Sequence, residues 1–269
     1  MAKKLQYGMV GGGPGSFIGG AHRKAIAISG KANLVAGCFS SKMEKSLKTA
    51  EELDIAQERT YCDFKEMAKA EAGKLDFVVI ATPNNTHYAC SKAFLEAGIN
   101  VMCEKPLCFE IAEAEELVAL AKEKDLFFGV MYGYTGNFWC SQVATSYRNG
   151  LALRVFGDKG MIEWHEEDCE YLTFCAKGEA PQKMARNCGY VYGRAAEVAR
   201  IPSGHPEGFY ESFANIYDSF CSAIAKKKAG EPLTESDLDF QKAEDGLAGV
   251  KYLHAVIDSG KNDSAWRKV

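Results

Sequence analysis

At 269 residues and 29.4 kDa the chain is long enough for one large α/β domain or two ordinary ones. Its 47% hydrophobic and 25% charged residues are the proportions of a packed globular protein, which excludes disorder, collagen and coiled coil. With 32 basic against 36 acidic side chains the net charge is −4, so neither nucleic acid nor an anionic membrane is an expected partner, and a small molecule is.

The first half alternates short β-branched runs with longer amphipathic ones, the pattern of a parallel sheet covered by helices on both faces. Strands are predicted at Gln6–Val10, Leu34–Cys38, Phe77–Ala81, Asn100–Cys103 and Phe127–Met131. Between them, helices are predicted at Gly20–Ser29, Met43–Leu53, Phe64–Glu71, His87–Ala97 and Ile111–Glu123. Asp63 is placed to cap the helix at Phe64, and Gly98 to take the left-handed position after Ala97. After Gly136 strand-like runs follow at Phe138–Thr145, Leu151–Phe156, Met161–Trp164 and Tyr171–Phe174. Gly157-Asp158-Lys159-Gly160 reads as a tight turn, so part of this half is expected to be an antiparallel sheet. Helices at Phe209–Ala225 and Phe240–Ile257 close the chain.

No run approaches the ~20 apolar residues that span a bilayer. Met1-Ala2-Lys3-Lys4 leads into a strand without an apolar signal core, so a cytoplasmic protein is expected. The ten cysteines stand singly, with no C-x-x-C, and read as reduced small hydrophobes; no metal site is expected.

The first predicted strand runs straight into Gly11-Gly12-Gly13-Pro14-Gly15-Ser16-Phe17-Ile18-Gly19-Gly20 and then a helix. Such a turn lets backbone approach a pyrophosphate and aims helix N–H groups at its charge. Gly11, Gly13, Gly15, Ser16, Phe17 and Ile18 are therefore candidate dinucleotide-binding residues, although Ser16 stands where the last glycine of G-x-G-x-x-G would be. The second strand ends Cys38-Phe39-Ser40-Ser41-Lys42, without the carboxylate that binds an NAD ribose. Ser40, Ser41 and Lys42 suit a 2′-phosphate instead, which favours NADP over NAD; alternatively either serine caps the next helix.

Two more strand ends carry polar groups: Ala81-Thr82-Pro83-Asn84, with His87 beyond it, and Glu104-Lys105-Pro106. Open α/β sheets bind ligands at such carboxyl ends. Lys105 is placed to donate to a substrate hydroxyl and stabilise alkoxide character as hydride leaves the carbon, against the alternative of a surface charge. His87 either shapes the pocket or merely caps and packs.

The glycine-rich loop, A-T-P-N at Ala81–Asn84, E-K-P at Glu104–Pro106 and the run Gly129–Tyr134 together resemble the glucose–fructose oxidoreductase and inositol dehydrogenase family, Gfo/Idh/MocA. Gln142–Glu163, Gly204–Gly208 and Phe213–Tyr217 also resemble segments of that family, so the likeness covers nearly the whole chain. The resemblance implies an N-terminal Rossmann domain over residues 1–132, with a C-terminal α+β domain with a mainly antiparallel sheet over 133–269. It also implies a nicotinamide-dependent enzyme acting on a hydroxyl of a sugar, cyclitol or related polyol. Lys105 would contact that hydroxyl, and assembly into a homodimer or homotetramer would use the C-terminal sheet. A non-catalytic nucleotide-binding sensor or scaffold of the same fold is the alternative reading.

One feature departs from the family. Its members carry a D-x-x-x-H acid/base histidine in the second domain, and no such motif follows Lys105 here. On the order of a hundred residues are missing near 134–138, comparable to a small domain. Of His165, His205 and His254, the loop residue His205 is the best candidate to replace that histidine. Either the segment is absent from this sequence alone or the gene has lost it. The first is favoured, because excising half a sheet leaves unpaired edges.

Overall fold

In a computed structural model the described residues are 4–131, 148–263 and 265–268. They form an α/β protein with a five-stranded parallel sheet and a separate four-stranded antiparallel one. The chain runs β1 (Leu5–Gly11), α1 (Phe17–Ser29), β2 (Ala32–Cys38), α2 (Met43–Glu52), α3 (Phe64–Glu71), β3 (Phe77–Ala81), α4 (His87–Glu96), β4 (Asn100–Glu104), α5 (Ile111–Glu123) and β5 (Phe128–Met131). Sheet order is β2-β1-β3-β4-β5, so strand order reverses between β1 and β3, and a ligand crevice is expected outside their carboxyl ends.

The central strands are apolar on both faces, as strands covered by helices must be. Along β3, Phe77 and Val79 enter one core cluster while Val78 and Ile80 enter the other. The Asp63 carboxylate accepts the Lys65 N–H at 2.7 Å and caps α3, and Gly98 has φ +76° after α4, both as the punctuation predicts. α1 begins three residues earlier than the apolar pattern suggests, because Ser16 caps it by accepting the Gly19 N–H at 3.2 Å.

The second sheet is β6 (Ala152–Phe156), β7 (Gly160–His165), β8 (Tyr171–Ala176) and β9 (Gln182–Ala185), in that order. Gly157 N–H bonds Gly160 carbonyl at 2.8 Å and closes the predicted turn. The expected strand Phe138–Thr145 and the expected break near 134–138 lie outside the described residues. The short α6 (Arg194–Glu197) follows, then α7 (Phe209–Ala229) and α8 (Ala243–Lys261).

The chain separates into two compact units, one of residues 1–133 with 213–269 and one of residues 134–212. The boundary expected at 132/133 leaves the closing helices in the second domain, whereas from Phe213 onward they belong to the first. The reason is their apolar content: Phe213, Tyr217, Phe220 and Ile224 of α7 join the core on one face of the parallel sheet, and Ala243 and Val250 of α8 join the other.

Candidate functional site

The glycine-rich loop is built for close backbone approach. A Cβ on Gly11 (φ +83°) would lie 2.3 Å from the Ala81 carbonyl oxygen, and one on Gly13 would lie 2.5 Å from that of Phe39. These contacts seat the loop against the ends of β3 and β2. Gly19, in the first turn of α1, presses on Gly12, where a Cβ would lie 2.3 Å from its Cα. It thereby takes the helix-packing place that Ser16 vacates in the motif. Gly15 (φ +80°) faces open space. A cleft of about 350 Å³ runs beside Gly13, Gly15 and Ser16, with Arg23 and Thr49 on its walls. Arg23 Nη1 donates to the Gly12 carbonyl at 2.9 Å and braces the loop. This cradle, at the positive end of α1, fits a dinucleotide pyrophosphate.

At the end of β2 neither serine caps the next helix. Ser40 Oγ accepts the Lys42 N–H at 3.2 Å, and α2 starts after Lys42 without a side-chain cap. The expected capping role fails because the Ser40 oxygen is taken by Lys42, which itself precedes the helix; separately, Ser46 in α2 ties the strand end down, its Oγ accepting from Phe39 N–H at 3.1 Å and donating to the Tyr61 carbonyl at 2.6 Å. Ser41 and Lys42 are exposed at the strand end.

Beside them, Ala81, Thr82, Pro83 and Asn84 turn from β3 toward α4. His87 is fully buried and its ring bridges two turns, with Nε2 3.0 Å from the Thr82 carbonyl and Nδ1 2.7 Å from the Pro106 carbonyl. Its ring is held in the interior between those two turns. Lys105 is exposed at the end of β4, before a cis peptide to Pro106.

Glu104, expected among the cofactor-binding residues, turns inward. Its Oε1 lies 2.9 Å from His22 Nε2, and its Oε2 accepts the Lys105 N–H at 3.1 Å. His22 Nδ1 lies 2.6 Å from Tyr217 Oη. Neither His22 nor a polar role for Tyr217 stands out in the sequence. The available signal was the position of His22 on α1, one turn from Ile18 and from Ile26, which places a polar ring on the buried face. Nothing local announced a partner 195 residues away.

His205 belongs to the second unit. It lies in an exposed loop, with Nδ1 3.3 Å from the Pro202 carbonyl. Arg186 holds that loop by donating to the His205 carbonyl at 2.6 Å, while pairing with Glu207 at 2.5 Å and Glu170 at 2.9 Å. His165 is exposed and His254 half-buried, and they are bonded to Glu163 and to the Phe109 carbonyl, respectively. Among the described residues no group of three or more His, Cys, Asp or Glu is placed to hold a metal ion.

A glycine cradle at the first strand-to-helix turn, flanked by polar strand ends at the switch point of a parallel sheet, defines a dinucleotide-binding protein of the Rossmann type. The family described as "Oxidoreductase family, NAD-binding Rossmann fold" matches residues 5–132. The chain belongs to this Gfo/Idh/MocA family of oxidoreductases. It is 31% identical to an oxidoreductase from Sinorhizobium meliloti of known structure, with a TM-score of 0.91 over 99% of this chain and 100% of that one. An inositol dehydrogenase homolog from Azotobacter vinelandii, solved with NADH and myo-inositol, shares the fold at a TM-score of 0.91 and 24% identity, over 100% of this chain and 98% of that one. The uncharacterized oxidoreductase YfiI of Bacillus subtilis is 25% identical over 99% of this chain and 97% of its own length. That alignment is 381 positions long against a chain of 269 residues, so more than a hundred of its positions have no residue here.

Proposed function

We propose that the protein is an NAD(P)-dependent dehydrogenase or reductase that moves a hydride between the nicotinamide and a hydroxyl-bearing carbon of a sugar, cyclitol or related polyol. The observation that carries this reading is the exposed Lys105 amine at the carboxyl end of β4, on the same edge of the parallel sheet as the glycine cradle after β1. Gly11, Gly13, Gly15 and the first turn of α1 would hold the pyrophosphate; Ser40, Ser41 and Lys42 would hold a 2′-phosphate, so NADP is preferred to NAD. When bound, the cofactor supplies the hydride acceptor or donor at its nicotinamide ring.

Lys105 donates a hydrogen bond to the reacting oxygen and stabilises its charge as the carbon–hydrogen bond breaks. The hydroxyl proton must pass to a base, and His205 is the candidate this chain offers. The myo-inositol bound by the Azotobacter homolog supports a polyol substrate.

Assembly into a homodimer or homotetramer would use the second sheet. One of its faces aligns Leu153 with Trp164 and Leu172, and Val155 with Ile162 and Phe174, and leaves Leu153, Val155 and Phe174 exposed. A homo-oligomeric enzyme free in the cytoplasm, independent of membrane and nucleic acid, is the setting proposed for this chemistry.

The test is Lys105→Met. Turnover with NADP or NAD on a panel of sugars and cyclitols should fall by at least a hundredfold, while nucleotide affinity by fluorescence stays within twofold. Undiminished turnover defeats the assignment. The absence of a D-x-x-x-H motif and the unmatched positions against YfiI favour a second reading, a nucleotide-binding sensor. Nucleotide binding with no turnover on any panel member supports that one.

A further inference from the structure

Tyr217, His22 and Glu104 form a buried chain of polar groups that the proposed hydride chemistry does not use. His22 and Tyr217 are fully shielded from solvent and Glu104 is 7% exposed. An ionised carboxylate can only accept hydrogen bonds, so His22 Nε2–H donates to Glu104 Oε1 and His22 Nδ1 carries the lone pair. Tyr217 O–H then donates to Nδ1, and burial, which pushes that phenol well above its ordinary range, keeps the proton on it. Glu104 Oε2 accepts the backbone N–H of Lys105 at 3.1 Å. Each polar atom in the chain thus has one role, and the last link is the amide of Lys105, whose side chain is exposed at the end of β4.

The elements joined are the informative part. His22 lies one turn beyond Phe17 and Ile18 in α1, whose first turn borders the glycine-rich cradle. Glu104 ends β4, and Tyr217 comes from α7. Simple core packing at these positions would be met at less cost by apolar side chains, since a buried carboxylate is tolerated only with its hydrogen bonds complete. On the opposite side His87 holds the Pro106 carbonyl, so the residues on both sides of Lys105 are anchored to the protein interior.

We infer that His22 is a positioning residue: through Glu104 it fixes the backbone of Lys105 to the helix that starts at the nucleotide loop, so that placement of the amine follows placement of the loop. The inference rests on the functional reading in which Lys105 meets the substrate hydroxyl. Without His22, Glu104 loses a donor and is free to rotate toward water, releasing the Lys105 N–H.

The experiment reads that N–H directly. Amide hydrogen exchange at Lys105, followed by NMR in the full chain, should accelerate at least tenfold in His22→Phe, which keeps ring volume and removes both ring nitrogens. His22→Gln, which retains one donor and one acceptor, should restore exchange to within about threefold of the parent. In turnover assays His22→Phe should lower kcat by tenfold or more and change KM for the nucleotide by less than threefold, a split that general loosening of the core would not produce. Tyr217→Phe removes a single oxygen from a packed ring; if His22→Phe does not fold, its Lys105 exchange, expected to rise about threefold, decides the matter. An unchanged Lys105 exchange rate in a folded variant overturns the inference whatever happens to turnover. If the parent protein turns over no substrate but Lys105 exchange still responds to His22, the functional reading falls and the positional link stands.

Discussion

Phe220 stands edge-on to Phe77, with ring centroids 5.5 Å apart and planes at 89°, so a helix from the far end of the chain completes the packing of the central strand β3. Phe240 in turn lies edge-on to Phe220 at 5.2 Å. Truncating such a ring removes its buried area and leaves a cavity between the sheet and α7. Phe220→Ala is expected to destabilise the parallel-sheet unit by about 3–5 kcal/mol, read as a lower urea midpoint with the denaturant slope nearly unchanged. A loss below about 1 kcal/mol would mean that α7 does not hold the sheet.

Gly19→Ala tests the nucleotide cradle without touching a polar group. The added methyl would sit 2.3 Å from Gly12 Cα, a backbone atom that can move only by displacing the loop. Alanine otherwise favours a helix, so the cost is local to the contact. Nucleotide affinity measured by fluorescence titration should drop at least tenfold while far-UV circular dichroism is retained. Affinity equal to that of the parent would show that the loop does not seat the pyrophosphate.

Much of this site was readable in the residues themselves, because its signals are local. Gly11 to Ser16 follow a strand and precede a helix, and Lys105 and Asn84 fall at strand ends fixed by apolar runs such as Phe77–Ala81. What escaped depends on distance or on weak patterning. The side chain of Glu104 reads from sequence as one more polar group facing the crevice, and only the approach of α7 shows why it turns to His22. β9, with the sequence Gln-Lys-Met-Ala, has no apolar alternation and owes its place to pairing with β8. Arg186 likewise looks like a surface cation until Glu170 and Glu207 are brought to it.

Asp237 supplies a pH signature for the connection between α7 and α8. Burial alone would raise its carboxyl, but Lys226 Nζ at 2.7 Å, the Thr234 hydroxyl at 2.6 Å and the Thr234 N–H at 2.7 Å hold it down to about 2. A carboxyl lowered on folding contributes stability that is complete above its unfolded value near 4 and is lost as pH falls through about 2. Asp237→Asn should therefore melt several degrees lower than the parent at pH 7, with the gap narrowing between about pH 4 and pH 2. A gap of constant size across that window excludes the carboxylate as its source.

The apolar face of the second sheet gives a test of assembly. Val155 is 49% exposed beside Ile162, on a face continued by Phe174. A charge placed there faces the cost of desolvation on association. Val155→Asp is expected to shift the sedimentation coefficient toward the monomer at micromolar concentration. An unaltered sedimentation profile for an oligomeric parent locates the interface elsewhere.

Cofactor choice turns on the end of β2. Lys42 is exposed there and precedes α2, Ser40 Oγ is engaged by the Lys42 N–H, and no carboxylate stands at the strand end to accept ribose hydroxyls. An ammonium group gains from a 2′-phosphate but not from a 2′-hydroxyl, and a hydrogen bond to a charged group contributes about 1.5–3 kcal/mol. Lys42→Ala should accordingly raise KM for NADP by roughly tenfold or more and that for NAD by less than twofold. The effect should shrink in 0.5 M salt, where exposed charges are screened. Equal losses with the two nucleotides would place Lys42 away from the 2′ position and return the preference to NAD.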